Sequence, residues 1–131
     1  MSKITEQDIC AIDLFRDLAP AHRTALAAIA EERTADRGDV IFSDGDFADG
    51  FYVALSGQVR VYKVSPEGKE QILHIFGTGE PFGEVPVFTG GHFPATAEAM
   101  KKCRLVRFAR DAFVDLIMKD PSLALNMLAM L

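Results

Sequence analysis

The spacing of apolar residues changes twice along the chain. After Thr5, the positions Ile9, Ile12 and Leu14-Phe15 form an interrupted helical stripe. Thr5 and Asp8 have the spacing of a capping box, although Glu or Gln is the usual partner there. Pro20 suits the first turn of a second helix whose short apolar face is Leu26 and Ile29. Arg37-Gly38-Asp39 is expected to end this helical region. From there the period is that of strands. Val40-Ile41-Phe42 is followed by the turn residues Asp44-Gly45-Asp46, then Phe51-Tyr52-Val53-Ala54-Leu55, Ser56-Gly57 and Val59-Arg60-Val61-Tyr62-Lys63-Val64. Ser65-Pro66-Glu67-Gly68 predicts a hairpin into Gln71-Ile72-Leu73-His74-Ile75-Phe76, and Cys103-Arg104-Leu105-Val106-Arg107-Phe108 is a last strand. Helical spacing returns with Asp111 as a cap for Phe113, Val114, Leu116 and Ile117, and Asp120-Pro121 opens another helix.

Helices, six to eight short strands with glycine turns, then helices predict a mainly β fold with flanking helices: an antiparallel sandwich, jelly roll or barrel. The 131 residues suit one domain. With 49% hydrophobic and 25% charged residues the chain is ordinary globular protein, and its net charge of −5 argues against contact with a phosphate backbone. The first twenty residues lack the pattern of a signal peptide, no apolar run approaches the ~18 residues of a membrane span, and Cys10 and Cys103 form no paired motif. These features predict a cytoplasmic protein with reduced thiols and no membrane contact. Catalysis is not expected. The three histidines are scattered, with no His-x-His metal motif, and neither a nucleophile elbow nor a Ser-His-Asp ordering occurs.

An ordered series of short motifs resembles the cyclic nucleotide-binding domain, and within it the sensor half of Crp/Fnr-type bacterial transcription regulators. Leu14-Phe15 with Leu18, Gly38-Asp39-Val40-Ile41-Phe42 with Asp44-Gly45-Asp46, Tyr52 to Tyr62 around Ser56-Gly57, and Gly68-Lys69-Glu70 carry it. So does Gly79-Glu80-Pro81-Phe82-Gly83-Glu84, which resembles the opening of the phosphate-binding cassette. The resemblance implies a β-roll (a double-stranded β-helix, of the jelly-roll kind) with a short helix over 85–88. It also implies a sensor over residues 1–120, a dimerisation helix beginning at 121–131, and DNA binding through a C-terminal helix-turn-helix domain that these residues do not include.

Nucleotide-binding members hold the cyclic phosphate with an arginine followed by Ser or Thr. Here the ungapped positions are Phe93 and Pro94, and no Arg or Lys occurs over 85–99. A buried phosphate without a cation loses charge-assisted bonds worth about 1.5–3 kcal/mol each, so tight cyclic AMP binding is not expected. Cyclic nucleotide binding remains the alternative, because Gly83 and Glu84 match. Glu84 can either meet a ligand hydroxyl or cap the N–H groups of its own turn. Phe93-Pro94-Ala95-Thr96-Ala97 resembles the nitrogen-oxide-responsive branch, whose apolar pocket and haem cofactor the resemblance implies. Alternation puts Ile72, His74 and Phe76 on one strand face, which in the family lines the effector pocket. His74 is therefore either a haem ligand or a histidine bonded to a polar neighbour. The candidate effector pocket is Val61, Ile72, His74, Phe76, Gly83, Glu84, Phe93, Pro94 and Thr96. His22 is expected on a solvated helix face, His92 in an exposed loop, and the basic residues Lys101, Lys102, Arg104, Arg107 and Arg110 on the solvated face of the last strand. Residues 123–131 carry one strongly polar side chain, Asn126. Leu125, Leu128, Met130 and Leu131 are expected to form a homodimer interface.

Overall fold

The protein is described by a computed structural model over residues 4–129. Helices α1 (Glu6–Cys10) and α2 (Pro20–Ile29) flank a 3-10 turn at Asp13–Phe15. Eight strands follow: β1 (Ala30–Ala35), β2 (Val40–Phe42), β3 (Gly50–Ser56), β4 (Val59–Val64), β5 (Glu70–Phe76), β6 (Pro81–Phe82), β7 (Thr96–Ala99) and β8 (Cys103–Ala109). Helix α3 (Glu84–Thr89) interrupts them between β6 and β7, and α4 (Arg110–Lys119) and α5 (Pro121–Leu128) close the described chain. The strands form two antiparallel four-stranded sheets, ordered β1-β8-β3-β6 and β2-β7-β4-β5. This is the β-roll with flanking helices. Its core carries an aromatic seam in which Phe15, Phe51, Phe108 and Phe113 meet ring to ring at 5.1–6.3 Å, joining the roll to the helices at both ends of the chain.

Several local signals act as their chemistry requires. Thr5 and Asp8 exchange both bonds of the capping box, and Pro20 and Pro121 occupy first helical turns. Gly57 has φ of +94°, and a Cβ on it would lie 2.6 Å from the Lys102 carbonyl. This turn therefore needs glycine twice over, for its backbone angle and for the approach of the β8 segment.

Other expectations are corrected. The helical region ends at Ile29, and Ala30-Glu31-Glu32-Arg33-Thr34-Ala35 is strand β1. Its helix-forming residues are overridden by pairing with β8, where Glu32 accepts from Arg104 at 2.8 Å and Glu31 from Arg107 at 3.0 Å. The arginines of the basic stretch thus serve as cross-strand partners: Arg104 also meets Asp8, and Arg110 donates to the Val87 carbonyl at 2.9 Å. The residue before α4 is Ala109, and Asp111 lies inside the first turn.

His22 is buried rather than solvated, at 9% exposure. Its Nε2 lies 2.8 Å from Asp120 and 3.2 Å from the Ser122 hydroxyl, clasping α2 to the α4–α5 joint. These three residues do not make a catalytic triad. Serine and aspartate share one ring nitrogen, while Nδ1 is buried without a partner, so no relay through the ring exists.

The two kinds of glycine turn can be told apart by experiment. Gly57→Ala should cost about 3 kcal/mol or more in urea unfolding, from strain plus a backbone clash. Gly68→Ala, at φ +84° with nothing within 4 Å of the added carbon, should cost only about 1–2 kcal/mol. Equal losses would contradict the close approach at Gly57.

Candidate functional site

The turn from β6 into α3 brings the cassette onto the open end of the roll. Gly83 takes a φ of +80°, which allows the sharp turn, and a Cβ there would sit 3.0 Å from ring carbons of both Phe42 and Phe93. Those two rings stack face to face, 3.8 Å between centroids and 9° from parallel. Phe42 also meets Tyr52 and Phe82 near 6.1 Å. Phe93 is held through its backbone: its N–H donates to Asp46 at 2.9 Å and its carbonyl accepts from Gly45 at 2.8 Å.

Beneath α3 lies an apolar cavity of about 190 Å³. Six of the sequence candidates line it: Val61, Phe76, Gly83, Glu84, Phe93 and Pro94. Phe42, Val85, Pro86 and Ala95 complete the wall, and sequence reasoning missed them. Phe42 had a signal, since it ends an apolar strand beside the Asp44-Gly45 turn. No arginine or lysine lines the cavity, and Glu84 is its one ionisable group. One Glu84 oxygen, Oε2, is buried with no hydrogen-bond partner. Burial pushes this carboxyl above its usual range, opposed by a bond to its own backbone.

Ile72, His74 and Thr96 stand outside the lining. The β4–β5 register shifts between Val61 and Tyr62, and β5 is an edge strand with β4 as its one neighbour in the sheet. The shift falls between Ile72 and His74, so it parts Ile72 from the Phe76 face; His74 stays opposite Val61 and in step with Phe76, but at the sheet edge it stands clear of the cavity wall. Its side chain is 58% exposed, 3.7 Å from Glu80 and over the Phe76 ring at 4.3 Å. It is a histidine with a polar neighbour. Thr96 accepts a bond from the Asp44 N–H at 3.1 Å, which ties the β7 start to the turn after β2. These positions do not fit a haem held by His74 in the roll, since the imidazole is neither buried nor in the cavity wall. No group of three or more His, Cys, Asp or Glu side chains suited to a metal occurs among the described residues.

Two further hollows adjoin the cavity. On one side, an apolar groove of about 270 Å³ separates the cassette from the C-terminal helices, with Leu14, Phe88, Ile117, Met127 and Leu128 among its walls. Glu84 lines this groove as well as the roll cavity. On the other side, a polar cleft of about 560 Å³ is lined by Arg33, Asp46, Tyr52 and Arg107, and shares Phe42 and Phe93 with the cavity. Of the expected interface residues, Leu125 is 67% and Leu128 62% exposed, while Leu123 and Met127 face the core. Met130 and Leu131 lie outside the described residues. No helix among the described residues is long and apolar enough to cross a membrane.

Residues 32–120 match the family described as "Cyclic nucleotide-binding domain". The cyclic AMP receptor protein of Thermus thermophilus is 32% identical over 118 residues, 90% of this chain and 55% of its own length. The chain thus spans about half the length of the curated regulators it matches. A lysophospholipase nte1 of Aspergillus niger is 35% identical over 89 residues, which are 68% of this chain and 6% of that protein. Among solved structures, the sensor domain of the transcriptional regulator DNR from Pseudomonas aeruginosa aligns at a TM-score of 0.82 and 32% identity, covering 95% of this chain and 83% of that one.

The buried carboxyl makes a pH prediction. A raised folded-state value means that the folded chain holds a proton the unfolded chain has released, in the window above the usual carboxylate value near 4.5. Ionised Glu84 therefore weakens the fold at neutral pH, and the penalty fades as pH falls through that window. Urea unfolding across the window should show wild type gaining stability relative to Glu84→Gln as the pH drops. Parallel curves would contradict the burial of this group.

Proposed function

The chain belongs to the cyclic nucleotide-binding domain family, and on that premise we propose that it is the effector-sensing domain of a Crp/Fnr-type transcription regulator. Similarity to the cyclic AMP receptor protein of Thermus thermophilus and to the DNR sensor domain supports this reading. Sensing is assigned to residues 1–120, the start of a dimerisation helix to residues 121–131, and DNA binding to a helix-turn-helix domain in a longer protein.

The effector is a small molecule other than a cyclic nucleotide. One observation carries this: Phe93 and Pro94, at the positions of the family's phosphate arginine and its Ser or Thr, wall an apolar cavity whose one ionisable group is Glu84. Phe93 offers a ring where an anion needs a cation, and Pro94 has no N–H to donate.

The mechanism is a shift of population between two poses of the C-terminal helices. Glu84 and α3 stand between the roll cavity and the groove against α4 and α5. A ligand that engages Glu84 changes the packing of Phe88 on Phe113 of α4, and so the pose of α5. The exposed Leu125 and Leu128 then transmit that pose to a second copy.

Calorimetric titration with cyclic AMP and cyclic GMP should show no saturable binding tighter than roughly millimolar. A micromolar dissociation constant would replace this reading with the cyclic nucleotide one, which has Gly83 and Glu84 in its favour. Sedimentation equilibrium should show self-association that Leu125→Glu with Leu128→Glu abolishes. A wild-type chain that stays monomeric at the highest attainable concentration would remove α5 from the interface.

A further inference from the structure

The apolar cavity and the polar cleft have one wall in common, the stacked pair of Phe42 and Phe93. Phe93 is only 3% exposed, yet the space on its far side is about 560 Å³. Its backbone is bonded on both sides to the turn at Gly45-Asp46, so a movement of this wall is a rotation of the ring alone. A ring that leaves Phe42 has the cleft of about 560 Å³ beside it, with Arg107 among its lining residues. On the near side, the cavity of about 190 Å³ already has room for a single ring; apolar cavities of about 150 Å³ bind benzene. Glu84 contributes a buried oxygen that lacks a donor.

We propose that Phe93 is a displaceable plug and that the site admits a planar, uncharged ring bearing one hydrogen-bond donor. The incoming ring takes the place of Phe93 against Phe42, and its donor meets Glu84 Oε2. Phe93 swings into the cleft. Specificity then has two parts: the absence of a cation rejects anions, and the orphan oxygen favours rings with a donor over rings without one. The biological use of this gate rests on the effector-sensing reading above, whereas the gate itself rests on the geometry of the two rings.

Indole is a suitable probe, being flat, uncharged and equipped with one N–H. The chain contains no Trp, so indole emission reports its own surroundings. Wild-type protein should give a saturable blue shift. Phe93→Ala and Phe93→Leu, which have no ring to displace, should bind roughly tenfold tighter. Glu84→Leu should weaken indole by roughly tenfold and leave naphthalene, which has no donor, unchanged. Circular dichroism checks that each variant folds. In wild-type protein, independently of any variant, nuclear Overhauser contacts between Phe42 and Phe93 should give way to contacts between Phe42 and indole. Absence of indole binding, equal affinity in wild type and the folded Phe93 variants, or binding that leaves the Phe42–Phe93 contacts intact would overturn the gate. Micromolar cyclic AMP binding, by contrast, would overturn the apolar-effector reading while leaving the indole results to stand or fall separately.

Discussion

A face-to-face contact between two phenylalanine rings forms the wall on which the proposed effector site depends. Phe42 ends β2, Phe93 precedes β7, and the two meet at 3.8 Å because Gly83 leaves no side chain between them and the cassette turn. The two sheets carry these residues to the same end of the roll: β2 pairs with β7, β7 with β4, and β6 joins the opposite sheet through β3. Burial of an anion at this point would need a cation or several strong donors. The chain supplies rings and a proline instead. On the proposed effector-sensing reading, ligand class follows from packing at one wall of the cavity.

The second constraint is the position of Glu84. A carboxylate with one unpartnered oxygen lies between the cavity and the groove that faces α4 and α5. An unsatisfied buried acceptor costs free energy that a ligand donor can recover. Recovery of that cost is a differential interaction, which is what a ligand needs in order to shift a conformational equilibrium. The joint that would respond is defined by Asp120, which closes α4 and precedes Pro121, and it is clasped to α2 by His22. Hydrogen bonds to Ser122 and His22 hold the Asp120 carboxyl below its usual range. The clasp therefore ties the pose of α5 to the N-terminal helices as well as to the roll.

Much of the architecture is legible in the residues because local chemistry and global fold agree. Thr5 with Asp8, Pro20, the Gly57 turn and the alternation of β3 and β4 all point the same way as the final structure. Failures occur where tertiary pairing outweighs local preference. Glu31 and Glu32 look helical until Arg107 and Arg104 of β8 donate to them across the pair. His22 looks solvated because its partner Asp120 is 98 residues away. His74 shares a face with Phe76, as alternation predicts, but β5 is an edge strand and the imidazole is left exposed there, while the register shift takes Ile72 off that face. Phe93 enters the sequence reading as the residue at the family's arginine position, and its stack on Phe42 joins residues whose proximity depends on the pairing of β2 with β7. Periodicity along one strand holds no information on such a contact.

On the proposed reading, the wall at Phe93 and Pro94 sets the ligand class. That dependence is tested most directly by restoring the family's phosphate-binding pair. Calorimetric titration of the Phe93→Arg, Pro94→Ser double variant with cyclic AMP should show an affinity at least about a hundredfold above wild type, since two charge-assisted bonds are regained. A correctly folded double variant that binds cyclic AMP no better than wild type would show that this wall does not set the ligand class.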